Sequence, residues 1–305
     1  MALKTLLVVA GATGIGKTAL AIKLALHYET EILSADSRQF FAEMNIGTAV
    51  PAPEELQMVP HHFIQHKNIQ EPYSVGDFER DALALLEQLF KVHDLVIMVG
   101  GSGLYIDAVL YGMDSFPKID PSVREALNKD LELQGLGSLQ EELTNADPDY
   151  AQKVDIQNPQ RVLRALEVWR ASGKPYSSYL GRKKNARSFN AVIVGIDAER
   201  AVIYKRINER VDKMMEAGLL TEVESLKEYK DLNALQTVGY KELFKHVEGH
   251  CTLEQAVEEI KKNSRRFAKR QGTWFRKNKS IVWVPHNMPF NLILERIAQE
   301  MNKNR

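Results

Sequence analysis

The feature that most restricts the fold of this chain is a glycine-rich segment near its N-terminus. Residues 11–18 read Gly-Ala-Thr-Gly-Ile-Gly-Lys-Thr and match the pattern G-x-x-x-x-G-K-[ST]. The apolar run at residues 6–10 predicts a buried parallel strand before this segment, and residues 18–27 predict a helix after it. Strand, loop and helix together are the context that a phosphate-binding loop requires.

The glycines of this loop allow several backbone N–H groups to point towards one anion, at the positive end of the following helix. We expect the loop to bind a diphosphate group, with Lys17 on a terminal phosphate and the Thr18 hydroxyl as a ligand of Mg²⁺. A glycine-rich turn kept for steric reasons alone is the alternative. The predicted diphosphate-binding residues are Gly11, Ala12, Thr13, Gly14, Ile15, Gly16, Lys17 and Thr18.

Strand and helix patterns alternate along most of the chain, which predicts an α/β fold. We predict a P-loop NTPase-like core with a parallel sheet, interrupted by a helical insertion domain. Residues 1–116 form the first part of the core, residues 117–189 the insertion, and residues 190–305 the second part with a basic C-terminal helix. Predicted strands lie at residues 6–10, 31–36, 95–99, 191–196 and 281–284, and predicted helices at residues 18–27, 77–92, 121–133, 160–171, 199–217, 219–229 and 253–275.

The predicted strand at residues 95–99 does not end in the carboxylate with which P-loop NTPases help to hold a metal ion. It leads instead into residues 100–105, Gly-Gly-Ser-Gly-Leu-Tyr. Without that carboxylate, phosphoryl transfer lacks one of its usual parts. Departure of a diphosphate would need only the loop and Mg²⁺.

Asp36 ends the second predicted strand, at the edge of the sheet where parallel α/β proteins bind ligands. We expect its carboxylate to face the same crevice as Lys17, where it could accept a proton from a nucleophile. The alternative is that Asp36 caps the next helix. Ser37, Arg38 and Gln39 can all hydrogen-bond a base or a phosphate, which favours the functional role.

Composition restricts the partners and the compartment. The overall charge points to no partner, because 40 basic and 40 acidic residues cancel. The single cysteine, Cys251, excludes an intramolecular disulfide and a cysteine-based zinc site. No apolar run approaches the ~18 residues that span a bilayer, so we predict a cytoplasmic protein without membrane contact.

Local charge does indicate a partner. Residues 261–279 contain nine basic residues and no acidic one, with Phe267, Trp274 and Phe275 interleaved. This excess predicts contact with RNA phosphates. The alternative is a solvated helix face whose aromatic side chains pack on the core.

Five motifs together resemble the bacterial tRNA dimethylallyltransferases. They are residues 11–18, 34–39, 100–105, 158–167 and the pair Gly239 and Tyr240, in the same order and spacing over nearly the whole chain. The resemblance implies a P-loop core whose helical insertion binds the anticodon stem-loop of tRNA. It also implies dimethylallyl diphosphate as donor, Mg²⁺ as cofactor and N6 of the adenosine on the 3′ side of the anticodon as acceptor. We expect a monomer.

Carried over by position, the resemblance implies that Asp36 is the general base and that Lys17 and Arg210 contact the diphosphate. We also assign Arg161 to catalysis and Thr18 to the metal. Arg206 lies four residues before Arg210 on the same helix face, so it is a second candidate, although an exposed charged helix would look similar. The predicted tRNA-binding residues are Thr13, Asp36, Ser37, Arg38, Gln39, Ser102, Arg124, Gln160, Arg161, Val162, Leu163 and Arg164.

Other functions fit parts of the sequence. A free-nucleotide isopentenyltransferase would use the same chemistry on AMP or ATP, but the insertion and the basic segment argue against it. A small-molecule P-loop kinase would explain the loop, although the missing carboxylate weighs against phosphoryl transfer. A non-catalytic RNA-binding protein would fit the basic segment but leaves Asp36 without a role.

Overall fold

The computed structural model describes residues 4–181 and 186–303 and divides into two compact units. The first unit comprises Met1–Leu110 and Arg187–Arg305, and the second comprises Tyr111–Ala186. The predicted insertion at residues 117–189 therefore shares most of its residues with the second unit.

The first unit is built on a parallel sheet, as the sequence predicted. Within the described residues the sheet has six strands in the order β3-β2-β4-β1-β5-β6, and every pairing is parallel. Its strands are β1 (Thr5–Gly11), β2 (Ile32–Ser34), β3 (His61–His62), β4 (Leu95–Gly100), β5 (Asn190–Asp197) and β6 (Ile281–Pro285). The predicted α/β class is confirmed. The edge strand expected at residues 281–284 is also present, as β6.

The continuous apolar sequence of the central strand follows from its burial. All seven residues of β1 are buried between β4 and β5. A strand covered on both faces has no solvent side that would call for polar residues at alternate positions. Leu7 and Val9 belong to one core cluster with Leu24 and Ile297.

Nine α-helices accompany this sheet among the described residues. Five of them match predicted segments, and the other four, at residues 53–58, 103–111, 240–247 and 290–303, were not predicted. The nine helices are α1 (Lys17–Tyr28), α2 (Pro53–Met58), α3 (Val75–Leu89), α4 (Gly103–Tyr111), α8 (Arg200–Glu216), α9 (Leu219–Ser225), α10 (Tyr240–Val247), α11 (Leu253–Phe275) and α12 (Phe290–Lys303). The helix predicted at residues 219–229 ends earlier, at Ser225, and a short 3₁₀ turn follows at Lys227–Tyr229.

The prediction of a basic C-terminal helix is wrong in one respect. The basic segment lies mainly on α11, and a further helix, α12, follows it. Ile293 and Ile297 of α12 are buried, and both belong to the core cluster of the sheet. The last helix is thus held by apolar packing and carries no comparable basic run.

The second unit is helical, and among its described residues there is no strand. Its helices are α5 (Pro121–Ala146), α6 (Pro148–Ala151) and α7 (Pro159–Ser172). Helix α5 is longer than predicted and is interrupted at Gly135, which has φ 76°. Asp120 and Asn158 cap α5 and α7 by accepting hydrogen bonds from backbone N–H groups, and a proline follows each cap.

Candidate active site

A cleft of about 1250 Å³ opens on the first unit, beyond the carboxyl ends of β1, β2 and β4. Thr13, Asp36 and Gly101 each follow one of these strand ends and line the cleft, together with residues of α8 and α11. This is the edge at which parallel α/β sheets bind ligands. The structure thus brings Thr13 of the predicted phosphate loop and the predicted carboxylate into one cavity.

The loop between β1 and α1 has the backbone of a phosphate cradle. Gly14 and Gly16 have φ 77° and 101°, a region that favours glycine. Gly11 has φ 148°, and a Cβ there would lie 3.0 Å from the carbonyl oxygen of Ile196. Among the described residues, no side chain caps α1. The free N–H groups and the helix dipole therefore make this end of α1 suitable for an anion.

Lys17 lies at the first position of α1 and is turned back onto the loop. Its Nζ donates to the carbonyl oxygen of Ala12 at 2.9 Å. Burial lowers the pKa of Lys17 to about 8, an effect that Asp36 opposes and Arg210 reinforces. A bound anion would favour the charged ammonium form and so oppose the effect of burial on the pKa of Lys17.

Arg210 supplies a second partly buried cation beside the loop. From α8 its Nη1 donates to Thr13 Oγ1 at 3.3 Å, and its Nη2 donates to the carbonyl oxygen of Thr48 at 3.5 Å. Burial lowers its pKa, and the negative charge of Asp36 opposes that shift. Arg206 is exposed and donates to the carbonyl oxygen of Ile15 at 3.1 Å. Both predicted arginines therefore face the loop, and Arg210 is the more buried of the two.

Asp36 stands just beyond β2 and does not cap a helix, which removes the alternative considered from the sequence. The backbone forms a turn at residues 37–40, and Asp36 Oδ1 accepts from the N–H of Arg38 at 3.2 Å. The carboxylate is close enough to Lys17 and Arg210 to interact with both charges. Ser102 lies next to it, since its Oγ accepts from the N–H of Ser37 at 3.2 Å.

Arg38 and Gln39, both predicted to bind tRNA, make bonds within the protein. Arg38 Nη1 donates to the carbonyl oxygens of Asn233 and Ala234 at 2.8 and 3.1 Å. Gln39 Nε2 donates to the carbonyl oxygens of Thr48 and Ala49, and its Oε1 accepts from Ser34 Oγ. These two side chains brace the wall of the cleft, and contact with tRNA by either one stays a prediction.

Two contributors to this wall were not predicted. Glu222 accepts hydrogen bonds from three consecutive backbone N–H groups, those of residues 45–47, and from the hydroxyl of Tyr240. Gln271 joins the phosphate loop to the segment after β4. Sequence spacing could not indicate either residue, because their partners are distant along the chain. The glycines at residues 100–103 were the available signal of a close approach.

Predicted residues of the second unit form a cluster of their own around Glu167. Its carboxylate accepts from Arg124 at 3.1 Å and from Arg164 at 3.2 Å, and Arg124 also donates to Gln160 Oε1. Arg161 is exposed on the same helix, α7. None of these residues lines the cleft described above.

Two residues of the predicted tRNA-binding run must be corrected. Val162 and Leu163 are 0% and 1% exposed and belong to the apolar core of the second unit. Their side chains are not accessible to an RNA, because they occupy the face of α7 that packs on α5. Gln160, Arg161 and Arg164 are exposed on the other face, and contact of these three residues with tRNA stays a prediction.

The basic helix α11 presents only part of its charge to solvent. Lys261 is paired with Asp212 at 2.8 Å, and Arg276, just after the helix, is paired with Asp197 at 3.0 Å. The remaining exposed cations on the helix are Arg266, Lys269 and Arg270. Phe267 and Trp274 are about two-fifths exposed, whereas Phe275 is buried, so only one of these aromatic side chains packs on the core.

Comparisons with known proteins find relatives along nearly the whole chain. A family model described as IPP transferase matches residues 39–278. A tRNA dimethylallyltransferase of Flavobacterium johnsoniae is 53% identical over 99% of this chain and 100% of its own length. Another, from Christiangramia forsetii, is 53% identical over 96% of this chain and 97% of its own length.

Solved structures of transferases that act on tRNA are also similar to this chain. A full-length tRNA isopentenylpyrophosphate transferase from Bacillus halodurans is 35% identical, with a TM-score of 0.73, over 98% of this chain and 97% of its own. A eukaryotic dimethylallyltransferase acting on tRNA is 25% identical, with a TM-score of 0.80, over 99% of this chain and 80% of its own.

Proposed function

The chain belongs to the IPP transferase family, and from this premise we propose that it transfers the dimethylallyl group of dimethylallyl diphosphate to N6 of the adenosine on the 3′ side of the tRNA anticodon. The family membership that the sequence motifs indicated is thereby confirmed. The assignment of roles to individual residues is our proposal.

One observation carries this proposal: a cradle for an anion, two partly buried cations and a carboxylate lie close together at one cleft. Thr13 of the cradle, Arg210 and the Asp36 carboxylate line the cleft, and Lys17 is near enough for its charge to interact with Asp36 and Arg210. An alkyl transfer with a diphosphate leaving group needs charge stabilisation on one side of the reacting carbon and a proton acceptor on the other. These residues can meet both needs.

In the proposed step, N6 of adenine attacks C1 of the allylic group while the C1–O bond to the diphosphate breaks. The bonding electrons pass to the diphosphate oxygen, where loop N–H groups, Lys17 and Arg210 stabilise the growing negative charge. The proton released from N6 passes to the Asp36 carboxylate. Because the target base is normally stacked in the anticodon loop, it must be flipped out to reach this cleft.

A divalent cation at this site would have few protein ligands. Among the described residues no cluster of three or more carboxylate, histidine or cysteine side chains could hold one. Mg²⁺ often keeps several waters and binds through few protein oxygens together with substrate phosphates. We propose that the Thr18 hydroxyl, in the first turn of α1, is its protein ligand. When bound, the ion would add positive charge next to the departing diphosphate.

The end of β4 argues against the kinase alternative. A Cβ at Gly100 would lie 2.5 Å from the carbonyl oxygen of Ala35, well inside van der Waals contact. The backbone therefore leaves no room for a side chain at the position where P-loop enzymes often carry a metal-holding carboxylate. Phosphoryl transfer from ATP would lack that group.

We propose that tRNA is bound by the second unit and by the exposed face of α11. The second unit offers Arg124, Gln160, Arg161 and Arg164, and α11 offers its exposed cations and two aromatic side chains. Stacking and phosphate contacts of these types bind single-stranded loops of RNA. A further catalytic role for Arg161 rests on the family resemblance alone.

A tRNA substrate would place the enzyme in the cytoplasm. All residues of the proposed reaction come from one chain, so a monomer would suffice. Among the described residues, no helix combines the length and the apolar character needed to cross a bilayer.

The proposed function can be tested by offering the purified protein several donors and acceptors. Labelled dimethylallyl diphosphate or ATP labelled in its γ-phosphate would be incubated with Mg²⁺ and either unmodified tRNA or AMP. We expect label only in tRNA, and only from dimethylallyl diphosphate. Label in AMP would favour the free-nucleotide enzyme, and label moving from ATP would favour the kinase. Either result would contradict the proposal.

The exposed cations of α11 lead to a separate prediction about tRNA affinity. Replacing Arg266, Lys269 and Arg270 with alanine should weaken tRNA binding, because each cation that neutralises a phosphate releases counterions. The slope of log K against log salt should flatten by about 0.7–0.9 for each phosphate that is no longer neutralised. Binding would be measured over a series of salt concentrations.

The matched control for this prediction is Lys261→Ala, because Lys261 is already paired with Asp212. It should leave the slope close to that of the unmodified protein. An unchanged slope in the triple variant would mean that these cations are merely solvated.

A further inference from the structure

One buried glutamine joins two loops of the cleft that are far apart in the sequence. Gln271 lies on α11 and is 7% exposed. Its Oε1 accepts from the N–H of Thr13 at 2.8 Å, and its Nε2 donates to the carbonyl oxygen of Gly101 at 2.9 Å. Both ends of one rigid amide are therefore bonded to backbone groups of the site.

These two backbone groups belong to the two halves of the proposed reaction. Thr13 is part of the diphosphate loop, and its hydroxyl accepts from Arg210 at 3.3 Å. Gly101 precedes Ser102, whose hydroxyl accepts from the N–H of Ser37 beside Asp36. Gln271 thus contacts the donor half through Thr13 and the acceptor half through Gly101.

The glycines after β4 are what allow α11 to come this close. A Cβ at Gly101 would lie 2.4 Å from Gln271 Nε2, and a Cβ at Gly103 would lie 2.3 Å from Trp274 Cδ1. Trp274, about one turn after Gln271, donates to Asp107 Oδ2 at 3.0 Å. The glycine-rich segment therefore serves as a docking surface for α11.

The bond to Thr13 also affects the cradle itself. The N–H groups of a phosphate loop usually point at the anion. Here the N–H of Thr13 is held by Gln271, which fixes the direction of the loop at that residue. An apolar side chain in place of Gln271 would leave the partly buried N–H of Thr13 and the buried carbonyl of Gly101 without this partner, so the loops would have to shift to find others.

We propose that Gln271 is a positioning residue that holds the diphosphate loop and the Asp36 side of the cleft at the separation the transfer requires. The proposal rests on the proposed function of the chain. A displacement of about 1 Å between reacting groups can cost roughly 10²-fold in rate. Gln271 acts through Thr13 and Gly101, so its effect should fall on the chemical step more than on the binding of either substrate.

The test compares single-turnover rates and substrate affinities of Gln271→Met and Gln271→Glu with those of the unmodified enzyme. For Gln271→Met we expect a rate about 10²-fold lower, with the Kd values for dimethylallyl diphosphate and anticodon stem-loop changed only a few-fold. Thr273→Ala is the control, since Thr273 is exposed on the same helix and its hydroxyl donates to the carbonyl oxygen of Lys269 in that helix. A near-normal rate for Gln271→Met, or a rate loss matched by an equal loss of donor affinity, would overturn the proposal.

Gln271→Glu supplies a readout that a merely structural role would not move. An ionised carboxylate can accept from Thr13 but cannot donate to Gly101, whereas a protonated carboxyl can do both. The rate of this variant relative to the unmodified enzyme should therefore rise as the pH is lowered. If the ratio of the Gln271→Glu rate to the rate of the unmodified enzyme is the same at every pH, the proposal is overturned. This test remains available if Gln271→Met fails to fold. If the unmodified enzyme transfers no dimethylallyl group, the proposed function fails instead.

Discussion

Replacing Asp36 with alanine should lower the single-turnover rate of dimethylallyl transfer by about 10²–10⁴-fold, the usual cost of losing a general base. The affinity for tRNA should stay within a few-fold, because the one hydrogen bond of the Asp36 side chain within residues 4–181 and 186–303 is that from the N–H of Arg38, and Asp36 lines the cleft. Rates would be measured with enzyme in excess over tRNA, so that product release does not contribute.

Asp36→Asn is the informative companion to this variant. The asparagine Oδ1 can still accept from the N–H of Arg38, so the turn at residues 37–40 should be kept. The amide cannot accept the proton released from N6, so the rate should fall nearly as far as in Asp36→Ala. Near-normal turnover in Asp36→Asn would mean that Asp36 has a structural role only.

The second large effect is expected at Lys17. Lys17→Ala should slow transfer by about 10²–10³-fold, comparable with removing one preorganised group that stabilises developing negative charge. It should also raise the KM for dimethylallyl diphosphate, because the ground-state diphosphate loses a cation. Lys23→Ala is the control, since Lys23 lies exposed on the same helix, α1. If Lys23→Ala slows transfer by the same factor, the effect comes from the overall charge of α1 and not from the position of Lys17.

The pH dependence provides a further check on Lys17. Because its pKa is lowered to about 8, Lys17 is charged below that pH and loses its charge as the pH rises above it. The KM for dimethylallyl diphosphate should therefore rise above about pH 8 in the unmodified enzyme. This rise should be absent in Lys17→Ala. A flat profile in both proteins would contradict direct contact between Lys17 and the diphosphate.

Much of the core could be predicted from sequence, because its signals are local. A continuous apolar run such as β1 reflects burial on both faces, and the phosphate loop follows it directly. Helix α11 was predicted at residues 253–275, and the structure has the same bounds. The two-residue strand β3 is too short for any periodic pattern. Helix α12 was missed near the end of the chain.

The errors in the second unit have a physical cause. Matching a motif by position assigned the whole run at residues 160–164 to tRNA. A helix, however, turns its residues to different faces. Val162 and Leu163 are buried in α7, whereas Gln160, Arg161 and Arg164 are exposed. The 3.6-residue period was present in the sequence and would have separated the two sets.

Contacts between distant segments could not be read from the sequence. Glu222 binds the N–H groups of residues 45–47, and Gln271 binds Thr13 and Gly101. Neither pairing has a spacing rule, since each depends on how helices dock on the finished sheet. In the sequence, the glycines at residues 100–103 indicated a missing carboxylate and formed part of a family motif. Their other consequence, room for α11, becomes visible only in three dimensions.

The most direct test of the central claim is to locate the transferred group within the tRNA. Unmodified tRNA would react with labelled dimethylallyl diphosphate, and the RNA would then be digested to nucleosides. We expect all label in an N6-dimethylallyl adenosine from the 3′ side of the anticodon. No label should appear when guanosine replaces that nucleotide, because guanosine has no N6 amine. Label at another nucleoside, or undiminished label in the guanosine-substituted tRNA, would contradict the claim.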